Sequence, residues 1–371
     1  MKKLYYLPLE PYIERYTYLM SCVDGWAERH FKNEGVDFVR IDGEKLGDAI
    51  TTGKVVDAHG RSYYAMSQIM SLIKLMTQGE VVDGDVIYVE DFWHPGIESL
   101  FYIRHLTGID FKIGTFLHAQ SVDDTDFAYD MREWMRPIEI GYGKGIDYIF
   151  VTSAILKQLC LDAGIGTESK VINVGLPYNS KRLLEQVDAM GVELGKKEDY
   201  VIFSSRFDDE KDPMFFLDLV EKCPDIQFVL VNPRKTITSN QEVVARLNNI
   251  LATKDNLKLV DTSNKKDYYQ TLANARVQFN CAHQDWVSWT LLEAVTFKCN
   301  PLYPIWKDFP VELRNDERFL YEKRNLDDAE KKLRQLMKTS FDEGLNYVVE
   351  KHDNSWPVYL KNMGYERKNN V

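Results

Sequence analysis

Cysteine is scarce in this sequence, and so are the patterns that mark metal sites, disulfide frameworks and membrane spans. The chain has five cysteines in 371 residues, and no two of them form a C-x-x-C pair. An odd, scattered set predicts reduced thiols and no zinc site. No apolar run approaches the roughly 18 residues of a spanning helix, and no signal-peptide pattern follows Met1. We therefore expect a cytoplasmic protein without a membrane span.

Positively charged residues are fewer than negatively charged ones. The formal net charge is -11. Residues 1–180 carry 17 Lys and Arg against 26 Asp and Glu, whereas the remainder carries 29 against 31. The acidity therefore lies in the N-terminal half. A general polyanion binder normally shows the opposite sign, which argues against non-specific binding to nucleic acid.

Short apolar runs alternate with helical patterns along the whole chain. Runs such as Val86–Val89 and Tyr148–Val151 are apolar on both faces, as in buried parallel strands. The alternation predicts an α/β protein with two Rossmann-like, doubly wound domains that face a cleft. The predicted strands are 3–7, 37–41, 86–89, 112–117, 148–151, 170–174, 200–204, 227–231, 257–260, 276–280 and 301–303. The predicted helices are 13–34, 64–77, 96–107, 154–163, 213–222, 241–251, 266–273, 290–297 and 326–337.

Three regions follow from this pattern. We expect an N-terminal domain over 1–180 and a C-terminal domain over 181–340. A polar, glycine-containing stretch at 177–198 is the expected linker between them. Residues 341–371 are expected to form a helical tail that packs back on the N-terminal domain.

The segment from Asp285 to Glu293 is the strongest candidate site. Two carboxylates lie eight positions apart, the second on a helix that follows a strand. The free backbone N–H groups of Ser288, Trp289 and Thr290 at the start of that helix suit a diphosphate. A carboxylate one turn further can accept hydrogen bonds from ribose hydroxyls. Thr290 and Glu293 also fit a capping box, in which Glu293 only satisfies a backbone N–H.

A second candidate segment follows the strand at 200–204. Ser205, Arg206 and Lys211 lie on a loop that ends at Pro213. An Arg fork and a Lys point charge at a strand end can neutralise the two phosphates of a leaving nucleoside diphosphate. The alternative interpretation is an ordinary solvated charge run.

In their order along the chain, these segments resemble the retaining GT-B glycosyltransferases of the family 4-like, group 1 type. That group has a strand, an Arg, a Lys-Gly/Pro loop and later a carboxylate-x7-carboxylate element followed by Ala. Arg206, Lys211, Asp285, Glu293 and Ala294 stand in that order here. The resemblance implies transfer of a sugar from a nucleotide sugar, such as a UDP-sugar, with retention and without a metal or other cofactor.

The resemblance also implies roles for individual residues. His118, at the end of an N-terminal strand, corresponds to the histidine beside the transferred sugar, and Arg206 and Lys211 would stabilise the leaving diphosphate. The acidic run Asp123–Asp126 could hold a metal, but we interpret it as an acidic loop. Acceptor contacts are expected from strand-end loops of the acidic half, namely Glu10, Glu90, Asp91, Trp93 and His94.

Several features depart from the family pattern and keep alternatives open. Asp285 replaces the usual Glu, the glycines after it are replaced by bulky residues such as Trp286, and the usual glycine-rich first turn is missing. One alternative is a nucleotide-binding protein with a decayed transferase site. The other is a bacteriophage-type DNA glycosyltransferase, to which the segments 291–295 and 301–306 are loosely similar. The expected acceptor is a glycan or small molecule, with DNA as the alternative.

Overall fold

The computed structural model describes residues 2–10, 32, 35–47, 58–118, 120–232, 237–353 and 355–365. The chain forms two compact units, one of residues 1–177 with 354–371 and one of residues 178–353. Almost all of the predicted helix 13–34 lies outside the described residues. Pro11, at the end of the loop that follows the first strand, also lies outside them.

The first unit is built on a six-stranded sheet in which every neighbouring pair is parallel. The strand order is β2-β1-β3-β4-β5-β6, so the chain reverses its winding direction between β1 and β3. Ligands of such sheets bind at the carboxyl ends of the two strands that flank this point. The strands are β1 Lys3–Leu7, β2 Asp37–Arg40, β3 Val86–Val89, β4 Lys112–Phe116, β5 Tyr148–Val151 and β6 Val171–Asn173.

Helices connect these strands. They are α1 Ala58–Thr77, α2 Ile97–Thr107, α3 Arg132–Gly145 and α4 Ala154–Asp162, with a short 3-10 helix at Phe127–Met131 before α3. The Ser153 side chain caps α4 by accepting from the Leu156 N–H. The sequence pattern missed α3, because Pro137 and three glycines interrupt it. Gly143 is required there, since a Cβ at this position would lie 2.5 Å from the Gly166 nitrogen.

The second unit repeats the design. Its strand order is β12-β11-β10-β7-β8-β9, again parallel throughout, with the winding reversal between β7 and β10. The strands are β7 Glu198–Phe203, β8 Gln227–Asn232, β9 Leu257–Asp261, β10 Ala275–Phe279, β11 Asn300–Pro304 and β12 Leu320–Tyr321. The prediction of two doubly wound parallel sheets is confirmed.

The helices of the second unit include one inside the expected linker. Asn179 caps α5, which occupies Ser180–Ala189 within the polar stretch 177–198. The side-chain cap and the buried Leu183 and Val187 explain why this polar segment is helical. The other helices are α6 Pro213–Lys222, α7 Gln241–Thr253, α8 Lys265–Asn274, α9 Trp289–Thr296, α10 Phe309–Glu312, α11 Leu326–Leu336 and α12 Asn346–Asp353.

The C-terminal tail divides between the two units. Helix α12 belongs to the second unit and packs against α9. Helix α13, Ser355–Asn362, belongs to the first unit, where the Tyr359 ring contacts the rings of Tyr88 and Phe150. The Tyr365 hydroxyl donates to the Lys3 carbonyl at 2.9 Å. Residues 341–353 therefore extend the second unit beyond the boundary expected at 340.

Candidate functional site

The carboxyl ends of β7 and β10 carry a buried polar cluster. Ser204 and Ser205 directly follow β7, and Asn280 directly follows β10. The Asn280 side-chain amide donates to Ser205 Oγ at 3.4 Å, and the Gln278 amide donates to Ser204 Oγ at 3.3 Å. These residues lie where the winding of the second sheet reverses, the place at which doubly wound sheets bind ligands.

The two predicted cations of this unit are both paired with carboxylates. Lys211 is only 6% exposed, and its Nζ donates to Asp285 Oδ1 at 2.5 Å. Arg206, about one-third exposed, donates to Glu210 Oε1 at 2.6 Å. Lys211 ends a 3-10 turn, and Asp212, in the left-handed region at φ 50°, turns the chain into α6. The structure thus joins Lys211 to Asp285 across 74 positions, which the sequence pattern did not predict.

Asp285 is held as a carboxylate by this arrangement. Burial alone would raise its pKa, but the neighbouring Lys211 ammonium outweighs it, helped by Arg206 and a hydrogen bond from Ser288. The pKa of Asp285 is therefore below its usual range. The buried Lys211–Asp285 ion pair is therefore formed within the unit itself.

The start of α9 does not form a side-chain capping box. Ser288 is the N-cap residue, but its side chain makes no cap hydrogen bond. Its Oγ lies 2.8 Å from Thr290 Oγ1, which in turn lies 3.1 Å from the Tyr303 hydroxyl. Thr290 lies inside the helix, so it is not the cap that the alternative interpretation required. Trp289 packs against the Tyr178 ring at 5.9 Å between ring centroids.

Glu293 is a buried carboxylate of which only one oxygen has a hydrogen-bond partner among the described residues. It is 2% exposed, and its Oε2 accepts from the Tyr268 hydroxyl at 2.6 Å. Its Oε1 has no hydrogen-bond partner among the described residues. Burial raises the pKa of Glu293 to about 7, against the opposing effects of Tyr268 and Lys265. A buried acceptor without a partner is costly in a folded protein, so this oxygen is a strong indication of a ligand.

Sequence analysis missed two residues of this site. Tyr268 donates to Glu293, and Gln278 is fully buried with its Oε1 unpartnered among the described residues. The Trp286 indole N–H is likewise buried without a partner, while Lys307 Nζ lies 4.4 Å from the centroid of its ring. The polar Gln278 inside an otherwise apolar strand was the one visible signal, since a buried amide needs partners.

In the first unit, His118 follows β4. Its Nε2 lies 2.8 Å from the Glu90 carbonyl oxygen. Because a carbonyl can only accept, Nε2 carries the proton and Nδ1 is the acceptor nitrogen of this ring. Burial lowers the pKa of His118 to about 4. The imidazole is therefore neutral at physiological pH and can accept, but not donate, through Nδ1.

The predicted acceptor residues are linked by an arginine that was not predicted. Arg61, on α1, donates to Glu10 Oε2 at 3.0 Å, to the Asp91 carboxylate and to the Trp93 carbonyl at 3.2 Å. Glu10 and Asp91 are 1% and 7% exposed. Glu10 follows β1 and Asp91 follows β3, so this ion pair ties together the two loops at the reversal point of the first sheet.

The other acidic and imidazole groups of this unit also make internal contacts. His94 Nε2 lies 3.0 Å from Gln68 Oε1, and burial lowers the pKa of His94 to about 4. Asp123 accepts from Thr125, and Asp126 caps the 3-10 helix by accepting from the Ala128 N–H. In the described part of the chain, no group of three or more His, Cys, Asp or Glu side chains could hold a metal ion.

Comparison with known proteins finds similarity only in structure. No family model matches the sequence, and no curated protein matches it. A sucrose-phosphate synthase from Thermosynechococcus elongatus matches with a TM-score of 0.62 at 12% identity, over 98% of this chain and 96% of that one. An α,α-trehalose-phosphate synthase (UDP-forming) from Burkholderia vietnamiensis matches at 0.58 and 14%, over 98% and 96%. A UDP-GlcNAc 2-epimerase from Methanocaldococcus jannaschii matches at 0.54 and 12%, over 98% and 100%.

These matches show a fold. The chain resembles the GT-B glycosyltransferases in structure, and the GT-B fold predicted from the sequence is confirmed. The epimerase match shows that the same architecture serves more than one reaction. Among the described residues, no helix is long and apolar enough to cross a membrane.

Proposed function

We propose that the second unit binds a nucleotide sugar and that the protein transfers the sugar to a hydroxyl acceptor with retention. The observation that carries this proposal is Glu293, a buried carboxylate with one oxygen that the described residues do not satisfy. Ribose hydroxyls are donors of the right kind for that oxygen, because a carboxylate accepts and a hydroxyl donates.

The polarity of the surrounding groups supports a nucleoside diphosphate. Arg206, Lys211 and the first N–H groups of α9 all donate, which suits phosphate oxygens. Lys211 has three N–H donors, one of which is given to Asp285, and Arg206 has five. The internal ion pairs therefore position both cations and still leave each of them N–H donors for phosphate oxygens. Donors at one end and an acceptor at the other match a diphosphate linked to a ribose.

UDP is the nucleotide that we propose. Two structural neighbours, the UDP-forming synthase and the UDP-GlcNAc 2-epimerase, are named for this nucleotide. Transfer is favoured over epimerisation by the order of Arg206, Lys211, Asp285 and Glu293 along the chain, which resembles the retaining transferases. In transfer, the bond between the anomeric carbon and the diphosphate oxygen breaks while the acceptor oxygen bonds to that carbon, and the acceptor's proton passes to the departing diphosphate.

Charge stabilisation of the leaving diphosphate is the proposed source of catalysis. Arg206 and Lys211 would compensate the charge that develops on the diphosphate as the bond breaks. The proposal includes no metal ion and no other cofactor, with the nucleotide sugar as co-substrate. His118 would accept a hydrogen bond from the transferred sugar through Nδ1.

The acceptor is proposed to bind to the first unit, near Glu10, Glu90, Asp91, Trp93 and His94. The Arg61 pairing changes this expectation, since Glu10 and Asp91 already accept from a guanidinium. Of this set only Trp93 is partly exposed, so the acceptor would meet mainly its ring. An aromatic face beside acidic residues suits a neutral glycan or small polyol better than a phosphate backbone. Transfer to hydroxymethylated duplex DNA rather than to glycans would establish the bacteriophage-type alternative.

Calorimetry with UDP tests the donor site. We expect Lys211→Met and Arg206→Ala each to weaken UDP binding by about 10- to 100-fold, the loss of a hydrogen bond to a charged group. Lys222→Met is the control, because Lys222 pairs with Asp327 on the surface, and it should bind UDP as wild type does. Unchanged affinity in both site variants would contradict the assignment. Release of sugar from UDP-sugar donors without an added divalent ion, in EDTA, tests the rest of the proposal.

A further inference from the structure

One short hydrogen bond joins two elements of the candidate site at Glu293. Tyr268, on α8, donates through its hydroxyl to Oε2 of Glu293, on α9, at 2.6 Å. The other carboxylate oxygen, Oε1, has no hydrogen-bond partner among the described residues.

The direction of this bond follows from the two groups that make it. An ionised carboxylate can only accept, so the Tyr268 hydroxyl donates to Oε2 whenever Glu293 is ionised.

We propose that Tyr268 is a positioning residue for the ribose subsite: it holds Oε2 of Glu293 so that Oε1 faces the ribose hydroxyls. This inference rests on the proposed function. Without the Tyr268 hydroxyl, both carboxylate oxygens would lack fixed partners among the described residues, and the side chain could rotate away from the ligand. The Tyr268 bond also opposes the burial that raises the pKa of Glu293, so its removal favours the protonated acid.

A comparison of two ligands isolates this role. Wild-type protein should bind UDP about 10- to 100-fold more tightly than 2′,3′-dideoxyuridine diphosphate, because only UDP donates ribose hydrogen bonds to a carboxylate. Tyr268→Phe should reduce this ratio to less than about 3-fold and leave the affinity for inorganic pyrophosphate unchanged.

Tyr200→Phe is the matched control. The Tyr200 hydroxyl donates to the Thr271 carbonyl at 2.6 Å in the same unit, and no hydrogen bond joins it to Glu293 among the described residues. This variant loses an equally short hydrogen bond and should keep the wild-type ratio.

The outcomes separate this inference from the proposed function. A wild-type ratio in Tyr268→Phe would overturn the positioning role. Equal weakening of UDP, the dideoxy analogue and pyrophosphate would also overturn it, because that pattern indicates a general loss of packing. Failure of the wild-type protein to bind UDP, ADP or GDP would instead overturn the proposed function itself.

Discussion

The two sheets end in charged groups that are satisfied in different ways. Near the reversal point of the first sheet, Glu10 and Asp91 both accept from Arg61, so these two buried carboxylates have a cationic partner within the unit. In the second unit, Glu293 lies on the helix that follows β10, with the neutral Tyr268 hydroxyl on one oxygen and no described partner on the other. These buried carboxylates therefore differ in the partners that their own unit provides.

This difference helps to distinguish a structural cluster from a binding site. A buried carboxylate paired with an arginine loses little when no ligand is present, whereas an unpaired one raises the free energy of the folded state. A protein retains such an acceptor only at some cost to stability. The second unit is therefore better supported as the ligand site. We assign to Arg61 mainly a role in the stability of the first unit.

Removal of Arg61 should have the largest effect on stability. Arg61→Met leaves Glu10 and Asp91 buried without their cation, which costs about 3–5 kcal/mol for a broken buried pair. Urea titration followed by circular dichroism measures the loss. The control is Arg276→Met, whose partner Asp199 is exposed, with an expected cost below about 1 kcal/mol.

A second substitution sharpens this test. In the Arg61→Met background, Glu10→Gln removes one of the two buried carboxylate charges that have lost Arg61, and it should recover part of the lost stability. Equal, small effects of Arg61→Met and Arg276→Met would mean that the first-unit carboxylates do not depend on Arg61, and the contrast between the two sheets would fail.

The fold could be predicted from sequence because buried parallel strands have a strong local signature. Val86–Val89 and Tyr148–Val151 are apolar at every position, and both ranges match the structure. Helix α3 was missed because its proline and glycines argue locally against a helix, while its packing near Gly166 favours one. Helix α5 was missed because composition outweighed the cap at Asn179 in the prediction.

The candidate site was only partly predictable, because its partners come from distant parts of the chain. Local motifs indicated Arg206, Lys211 and Glu293, which lie on loops and a helix after strands. The Lys211–Asp285 pair spans 74 positions, and the Arg61–Glu10 pair spans 51. No spacing rule relates such residues, since the topology of the sheet brings them together. The roles of the site residues in binding and transfer remain predictions.

Glu293 should make the stability of the protein depend on pH. Its pKa of about 7 in the folded state is above its ordinary value of 4.5, so the folded protein holds a proton that the unfolded chain has lost. The contribution is fully present below about pH 4.5 and is lost as pH rises through 7. Glu293→Gln cannot titrate. It should therefore gain stability relative to wild type from pH 5 to pH 8, by up to roughly 3 kcal/mol.

Tyr268→Phe provides the control for this pH dependence. Because the Tyr268 hydroxyl stabilises the ionised form, its loss should move the decline in stability to higher pH. Urea midpoints at several pH values would show both effects. A wild-type protein whose stability relative to Glu293→Gln is constant from pH 5 to pH 8 would show that Glu293 is already satisfied, and the two sheets would then not differ in this respect.

His118 provides the smallest and most specific test, because it asks whether the first unit contributes to the reaction. Its Nε2–H is committed to the Glu90 carbonyl, and burial lowers its pKa to about 4, so it is a neutral acceptor. An acceptor that contacts the transferred sugar mainly in the transition state affects kcat more than donor KM. We expect His118→Ala to lower kcat by several-fold to about 10-fold, the value of a neutral hydrogen bond, with donor KM changed less than 2-fold.

His118→Asn keeps an acceptor near the Nδ1 position and should retain more activity than His118→Ala. Steady-state kinetics between pH 5.5 and 8 should show no loss of activity from His118 protonation, since its pKa lies below that range. A raised donor KM with unchanged kcat would instead make His118 a donor anchor, and the first unit would then share the binding role that we assign to the second.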